Sequence, residues 1–451
     1  MSKDHKKVNA GGKENPDKWV ETLYEKLADE DEARVCEAIT DEACEEVPGN
    51  FFRQLVAQTL TKAGDRIANP KTTLPWLLQS IGAPGYLSGM LVPLRESGSL
   101  LPQVLIGSLV RRLPVRKSVW VWGSVVEGLA LALMIPAVWF FSPVLAGWSV
   151  LALLAVFSLA RGFCSIASKD VLGKTIPKTR RGLLTGWMSA SAGVVTVAAG
   201  LSLLWQGSGG EDGNPGFLLF LLAVAAGFWC LGALVFSRIV EYAGATEGGK
   251  DGWHEIREQI SLLGKDRPFR DFVLVRSLAI GSGLAAPFYV LLAREEAGAV
   301  LPLLGWFVLA DGLASMSSGV IWGKQADRSS RGVLIGASLL SAGLGLVVVG
   351  WSLAGFSQEL SRWFYPLAFF ILGVAHSGVR VGRKTYLADF AEGNKRTAYV
   401  AVSNTTIGFV LLVLGGISSV LAVWSVSGAI LFFSILGLFG GLYGCRLPKV
   451  A

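Results

Sequence analysis

From about residue 118 onward the chain alternates long apolar runs with short polar turns. A membrane-spanning helix needs about 20 predominantly apolar residues. Ten runs meet that length, near 118–142, 146–168, 183–205, 216–238, 271–293, 299–322, 332–355, 364–382, 397–422 and 424–445. The stretch 51–110 is mixed. Hydropathy by itself favours one span near 72–94 and a short one after it, which leaves Arg95-Glu96 at a boundary and 51–67 unassigned. Two long helices, about 51–79 and 84–110, hinged at Gly82-Ala83-Pro84-Gly85, account for the whole stretch and give twelve spans.

The first 50 residues read differently. Residues 1–14 have no apolar period. Asn15-Pro16 then suits a helix cap followed by proline in the first turn. Trp19, Val20, Leu23, Tyr24 and Leu27 recur at helical spacing, and a second helix is expected from about Glu32 to Glu46, ended by Pro48-Gly49. Between Glu14 and Glu46 there are thirteen acidic and three basic residues. The tail reads as a cap on the cytoplasmic face or as a docking site for a cytoplasmic partner. No signal peptide opens the chain.

Composition agrees with the spans. Apolar residues make up 52% and charged residues 17%, with mean hydropathy +0.50. So few charges cannot cover a soluble surface. The 55 glycines suit close helix packing and the 15 tryptophans suit membrane interfaces. Soluble enzymes, disulfide scaffolds and disordered chains are excluded. The net charge of +7 combines an acidic tail with basic loops. With the N-terminus inside, the inner loops carry Arg111, Arg112, Arg116, Lys117, Lys174, Lys178, Arg180, Arg181, Lys324, Arg328, Arg331, Lys395 and Arg396. The outer loops hold little beyond Arg294 and Arg362. This is the positive-inside pattern, and it replaces a nucleic-acid reading of the basic excess. It places the protein in the cell membrane with both termini cytoplasmic. The five cysteines read as reduced packing residues, with a Cys36–Cys44 pair or metal site as the minor alternative.

A shift of 215 residues aligns Lys169 with Lys384, Leu172 with Leu387, Arg180-Arg181 with Lys395-Arg396, Gly193 with Gly408 and Gly200 with Gly415. The chain therefore divides into an acidic tail (1–50), a six-helix half (51–239), a linker (240–268) and a second six-helix half (269–447). The linker holds Trp253, Ile256, Ile260 and Leu263 at helical spacing and reads as an amphipathic strap on the inner face.

The loop GKQADRSSRG between the eighth and ninth spans is similar to the loop signature of the major facilitator superfamily, matching it at Gly323, Asp327, Arg328 and Arg331. Ser330 and Gly332 depart from that signature. The first-half loop from Gly107 is degenerate, with Arg111 where the family has aspartate. The antiporter glycine-proline motif is absent from the fifth span, which has Gly186, Gly193 and Gly200 instead. The resemblance covers about 51–447. It implies two pseudo-symmetric six-helix bundles, a cytoplasmic gate held by the Asp327 loop, and a central cavity lined by spans one, four, seven and ten.

Those spans carry most of the intramembrane charge. The first holds Lys62, Asp65, Arg66 and Lys71, a cost of roughly 10 kcal/mol if all faced lipid. Gln58, Lys62, Asp65, Asn69 and Thr72 share one helical stripe. The second span holds Arg95-Glu96, the fourth Arg161, the seventh Arg276, the eighth Asp311, and the tenth His376 and Arg380. Repeat transporters bind substrate near the midplane between the halves. The expected substrate-binding set is Lys62, Asp65, Arg66, Asn69, Arg95, Glu96, Arg161, Arg276, His376 and Arg380, with Arg161 facing His376 across the pseudo-two-fold axis. Asp65–Arg66 and Arg95–Glu96 are expected to pair across helices. The arginine surplus suits a carboxylate or phosphate on the substrate; the competing reading is purely structural pairing. Proton coupling is expected at Asp65, Asp311 or His376, where packing roles compete.

No HExxH, P-loop GxxxxGK[ST] or GxSxG occurs, so no catalysis, metal or cofactor is expected. The reading is a monomeric secondary transporter for a small polar, anionic or zwitterionic solute. Its rivals are a cation or drug exporter using Asp65, Glu96 and Asp311, a receptor or scaffold, and a lipid-directed membrane enzyme. Its partners are the solute and the lipid bilayer, with no nucleic acid.

Overall fold

The computed structural model describes residues 24, 41–177, 180–206, 215–244, 246, 261–326, 328–390 and 395–449. Among the described residues there are helices and no strands. After a short turn of helix at Asp41–Glu45 come α1 (Val47–Ile67), α2 (Thr73–Ser80), α3 (Gly85–Leu100), α4 (Gln103–Arg111), α5 (Lys117–Phe140), α6 (Pro143–Thr175), α7 (Arg181–Gln206) and α8 (Pro215–Ser237). The later helices are α9 (Arg267–Leu278), α10 (Gly281–Leu284), α11 (Ala286–Ala297), α12 (Leu301–Ala326), α13 (Ser330–Ala354), α14 (Gln358–Phe390), α15 (Lys395–Trp424) and α16 (Val426–Gly444).

Among the described residues ten segments are long and apolar enough to cross a membrane, α9–α11 counting as one interrupted span. They match the ten apolar runs in order. The two long helices expected over 51–79 and 84–110 are each broken. Asn69-Pro70 interrupts the first, because the residue before proline avoids helical angles and proline donates no hydrogen bond. The Asn69 side chain accepts from the Lys71 amide at 2.9 Å and stabilises that break. The turn expected at Gly82–Gly85 is present, with Gly82 at φ +74°, where a Cβ would be strained. Pro102 sits between α3 and α4. Pro48-Gly49 does not end a helix as expected; Pro48 lies in the first turn of α1, where its missing N–H is harmless.

The expected tail helix around 16–30 and the strap residues Trp253, Ile256 and Ile260 lie outside the described residues, as do Lys178 and Asp327. Tyr24 is described and is buried against Phe51, ring centroids 5.4 Å apart. Cys44 is disulfide-bonded, which corrects the expectation of five reduced cysteines; Cys164, Cys230 and Cys445 are free.

Helices α1–α8 pack chiefly on one another, as do α9–α16, and the two groups meet along α7/α12 and α3/α15. Glycines set both contacts. A Cβ on Gly200 would lie 2.8 Å from the Leu309 side chain, and one on Gly305 would lie 3.0 Å from the Gly200 carbonyl. At the other seam a Cβ on Gly415 would collide with the Pro93 ring, and one on Gly408 would lie 3.0 Å from the Leu101 amide. Gly200 and Gly415 are the pair related by the 215-residue shift, and they perform the same task at the two seams. The seven-residue glycine series on α7 does not pack throughout: a Cβ on Gly186 would meet nothing within 4 Å.

Four exposed tryptophans gather at one end of the bundle, while Trp122, 70% exposed, lies near the other. Trp139, Trp205, Trp363 and Trp424 are each at least 68% exposed. The alternation of helices puts all four at the end of the bundle opposite the Arg111–Lys117 turn.

Candidate functional site

Between the two groups lies a cavity of about 670 Å³. Every residue of the expected substrate-binding set lines it, together with Asp311 from the expected coupling set. Lys71, Ser99, Gln103, Ser315, Arg383 and Lys384 line it too. Along α14 the lining runs from Phe369 to Lys384, about 22 Å at 1.5 Å per residue. The cavity thus extends from mid-bundle toward the end that carries the basic turns.

The opposite end is sealed. Arg294 on α11 donates to the Trp76 carbonyl on α2 at 3.0 Å, and its guanidinium lies 5.1 Å from the Trp76 ring centroid. Below it, a Cβ on Gly89 would lie 2.9 Å from the Phe288 ring, and one on Gly85 would lie 3.5 Å from Leu291. Both are contacts between the two helix groups.

Asp65 is the hub of the N-terminal wall. It accepts from Arg95 at 2.7 Å and also from Arg161. Arg95 lies 4.8 Å from the centroid of Phe157, and Arg161 lies 5.3 Å from that of Trp229. The rings flank both guanidiniums, and the one carboxylate they share offsets half of their charge. Arg66 does not pair with its neighbour Asp65. It reaches across the cavity to Asp311 at 2.7 Å and Ser315 at 2.9 Å, and Asn69 donates to the same carboxylate at 3.3 Å. The cross-helix pairing expected for Asp65–Arg66 is what the geometry shows. The Glu96 carboxylate has no partner among the described residues.

The C-terminal wall is arranged otherwise. Arg276 is buried and donates to Ser403 at 2.5 Å and Asn404 at 2.9 Å on α15. Asn404 continues the chain to Gln103 on α4 at 3.0 Å, joining the two groups. His376 Nδ1 lies 3.2 Å from the Ser282 hydroxyl. The expected Arg161–His376 facing pair is not made; Arg161 turns to Asp65 and Trp229, and His376 to Ser282. The side chains of Arg380, Arg383 and Lys384 have no hydrogen-bond or ion-pair partner among the described residues, and neither do those of Lys62 and Lys71.

Of the residues expected to gate, Arg331 donates to the Leu447 carbonyl at 2.5 Å within its own half. Arg328 is exposed, a Cβ on Gly323 would meet nothing within 4 Å, and Asp327 lies outside the described residues. In the first half a different cluster replaces the degenerate motif. Glu241 accepts from the Arg116 and Lys117 amides at 3.0 and 2.6 Å and from Lys174 at 3.0 Å, and Arg116 pairs with Asp170.

Sequence reading missed Glu127 on α5. It is 0% exposed, and both carboxyl oxygens lack a partner. It is the one ionisable residue within an otherwise apolar helix after Lys117, and that was its available signal. Ser282, Ser403 and Asn404 were also missed, because serine and asparagine in a span look like ordinary packing residues. Among the described residues no cluster of histidine, cysteine and carboxylate side chains suits a metal ion.

This arrangement is that of a multi-pass membrane protein built around a central cavity lined by charged and polar side chains. The chain has the fold of the major facilitator superfamily. It overlays a nucleoside transporter with TM-score 0.65 at 12% identity, over 88% of this chain and 97% of that one. It overlays the xylose transporter XylE from E. coli in an inward-open conformation with TM-score 0.64 at 11% identity, over 90% and 97%. By sequence it is similar to an MFS-type transporter of Methanocaldococcus jannaschii, 22% identical over 379 residues covering 82% of this chain and 88% of that one. It is also 24% identical over 381 residues to an uncharacterised protein of Mycobacterium tuberculosis, covering 82% and 71%. No family model matches the sequence.

Proposed function

We propose that the protein is a secondary active transporter that carries a small anionic solute by alternating access, and that it is seen with the chamber facing the basic, cytoplasmic side. The carrying observation is the lining of the cavity: nine lysines and arginines against three acids, Asp65, Glu96 and Asp311. Each such group costs roughly 2.5–3.5 kcal/mol at mid-membrane, so a lining of this kind is kept for a task that needs charge. Arginine-rich walls with few acids suit carboxylate or phosphate recognition. The fold supports transport, because the structural neighbours named above are transporters.

In this reading α1–α2 and α3–α4 add two crossings to the ten apolar ones, giving twelve with both termini cytoplasmic and a monomer as the working unit. The disulfide at Cys44 is unusual for a reducing compartment, and labelling of tail cysteines from each side of sealed vesicles tests the orientation. The substrate set is the ten residues expected from the sequence. His376 is assigned the proton-coupling role, since its partner Ser282 is neutral while Asp65 and Asp311 are held by arginines. The acidic tail is assigned a capping or partner-docking role against the basic inner face. The cation-exporter alternative requires an acid surplus that the lining lacks. A scaffold gains nothing from a charged chamber, and an enzyme acting on lipid requires a paired nucleophile and base.

Uptake of radiolabelled organic anions into proteoliposomes tests the reading. Arg161→Ala and Arg380→Ala are expected to abolish uptake of the accepted anion. If both variants transport it at the parent rate, the anion site is wrong. A flux indifferent to an imposed pH gradient removes the His376 assignment.

A further inference from the structure

The cations of the cavity fall into two groups. The arginines of the N-terminal wall are ion-paired: Arg95 and Arg161 share Asp65, and Arg66 takes Asp311, while the Lys62 and Lys71 side chains have no partner among the described residues. The cations of α14 have no ion-pair partner among the described residues either. Arg380, Arg383 and Lys384 lie one and two turns beyond His376 on the cavity face of a single helix, so successive side chains are spaced by one turn. Lys71 from α1 is an electrostatic neighbour of Arg380, and Arg380 is in turn one of Arg383 and Lys384.

The internal repeat explains why the segment matching α1 brings no acid to them. The 215-residue offset carries Asp65 to Ile280, and Arg66 to Gly281. Between Asp271 and Glu295 the α9–α11 segment has no carboxylate, and Asp271 itself accepts from the Tyr443 hydroxyl at 3.1 Å. The acid that the C-terminal half does bring to the cavity, Asp311, is taken by Arg66 of the other half. Glu96 remains without an ion pair among the described residues and is an electrostatic neighbour of Lys71 and Arg383.

We infer that the solute carries two or more negative charges on one compact group, a phosphate or neighbouring carboxylates, and that this group docks on Arg380, Arg383 and Lys384 of α14 rather than midway between the halves. This rests on the proposed transport of an anion and sharpens it. A single carboxylate leaves most of the surplus on α14 uncompensated. A dianion presents enough acceptor oxygens for two guanidiniums one turn apart, each donating through a planar fork, with a lysine as a third point charge. Because like charges are held together when the site is vacant, each added negative charge on the ligand is rewarded more than it would be in water.

The test uses the purified full-length protein and four probes at neutral pH and matched ionic strength: inorganic phosphate, succinate, acetate and glycerol. Thermal unfolding is followed against probe concentration. Phosphate and succinate are expected to stabilise with half-saturation about tenfold or more below that of acetate, and glycerol with none beyond its solvent effect. Arg380→Gln and Arg383→Gln are expected to raise the phosphate value about tenfold each while moving acetate less than about threefold. Arg380→Lys, which keeps the charge and loses the fork, falls between. Arg238→Gln removes an exposed charge outside the cavity and is expected to change nothing. The ratio between phosphate and acetate in the parent protein needs no variant, so a misfolded Arg380→Gln leaves the test intact. Equal half-saturation for acetate and phosphate overturns the dianion and leaves the anion reading standing. Unchanged phosphate binding in both α14 variants overturns the docking face. If no anion stabilises the protein, the transport reading falls and takes this inference with it.

Discussion

The two halves of the chamber are built from related helices but treat charge in opposite ways. On the N-terminal side Arg161 of α6 meets Asp65 of α1, with Arg95 completing the cluster. On the C-terminal side the helix equivalent to α6 is α14, and its Arg380, Arg383 and Lys384 face a segment that offers Ile280 and Leu284. The first wall is a closed ion cluster whose charges serve one another. The second is open, its Arg380, Arg383 and Lys384 having no ion-pair partner among the described residues.

The largest expected effect comes from breaking the closed cluster. Asp65→Ala leaves Arg95 and Arg161 side by side without a counter-charge. Removing one member of a fully buried pair costs about 3–5 kcal/mol; Asp65 is 20% exposed, so a smaller fall in the thermal transition of the purified protein is expected. Asp65→Ala combined with Arg161→Ala relieves the repulsion and is expected to recover part of the loss. If Asp65→Ala unfolds at the parent temperature, the N-terminal wall is not the self-sufficient cluster described.

Next in size is the mirror-image experiment. Arg380→Gln removes a cation that has like-charged neighbours and no partner among the described residues. Its thermal stability is expected to hold or rise slightly, while uptake of the transported anion drops about tenfold, equivalent to about 1.4 kcal/mol. A fall in stability comparable with that of Asp65→Ala would erase the distinction between the walls.

Much of this fold was legible in the sequence, and the reasons are specific. Ten apolar runs were long enough to read directly, and the structure keeps them in order. The stretch 51–110 was harder because its helices are amphipathic and interrupted; the polar stripe from Lys62 to Asn69 lowers hydropathy where the chain lines the cavity. The collection of charges around one cavity was legible from the cost of intramembrane charge. Its partition was not. Whether Arg66 turns to Asp65 or to Asp311 depends on tertiary placement, and only coordinates decide it. Glu127 escaped notice because a single acid in a long apolar helix is outweighed in any window average.

A smaller effect concerns the seal that keeps the chamber facing one way. Arg294→Ala removes a charge-assisted bond to the Trp76 carbonyl and the stacking on its ring. These contacts join the two halves and must part when the outer face opens. Their loss is worth about 1–2 kcal/mol, so the outward-facing population is expected to rise about tenfold. Labelling of a cysteine introduced at Ser99, measured from outside intact cells, reads that population. No change in labelling rate would assign the seal to the Phe288 and Leu291 contacts instead.

The smallest effect separates glycines that the repeat needs from one it does not. Gly186, Gly193 and Gly200 share a seven-residue spacing on α7, yet their surroundings differ. A Cβ on Gly200 would lie 2.8 Å from Leu309 and 3.2 Å from its backbone nitrogen, at the seam with α12. Gly200→Ala is therefore expected to strain a contact that both halves share, as is Gly415→Ala against the rigid Pro93 ring. Gly186 has open space around its Cβ position. Gly186→Ala keeps the helix and removes backbone entropy from the unfolded chain, a gain of about 0.5–1 kcal/mol. A thermal shift upward for Gly186→Ala beside downward shifts for Gly200→Ala and Gly415→Ala would show that the duplication preserves the two seams and not the glycine spacing itself. Equal losses for all three would mean that α7 meets a partner along its whole length, and that the contact between the halves is wider than α7/α12 and α3/α15.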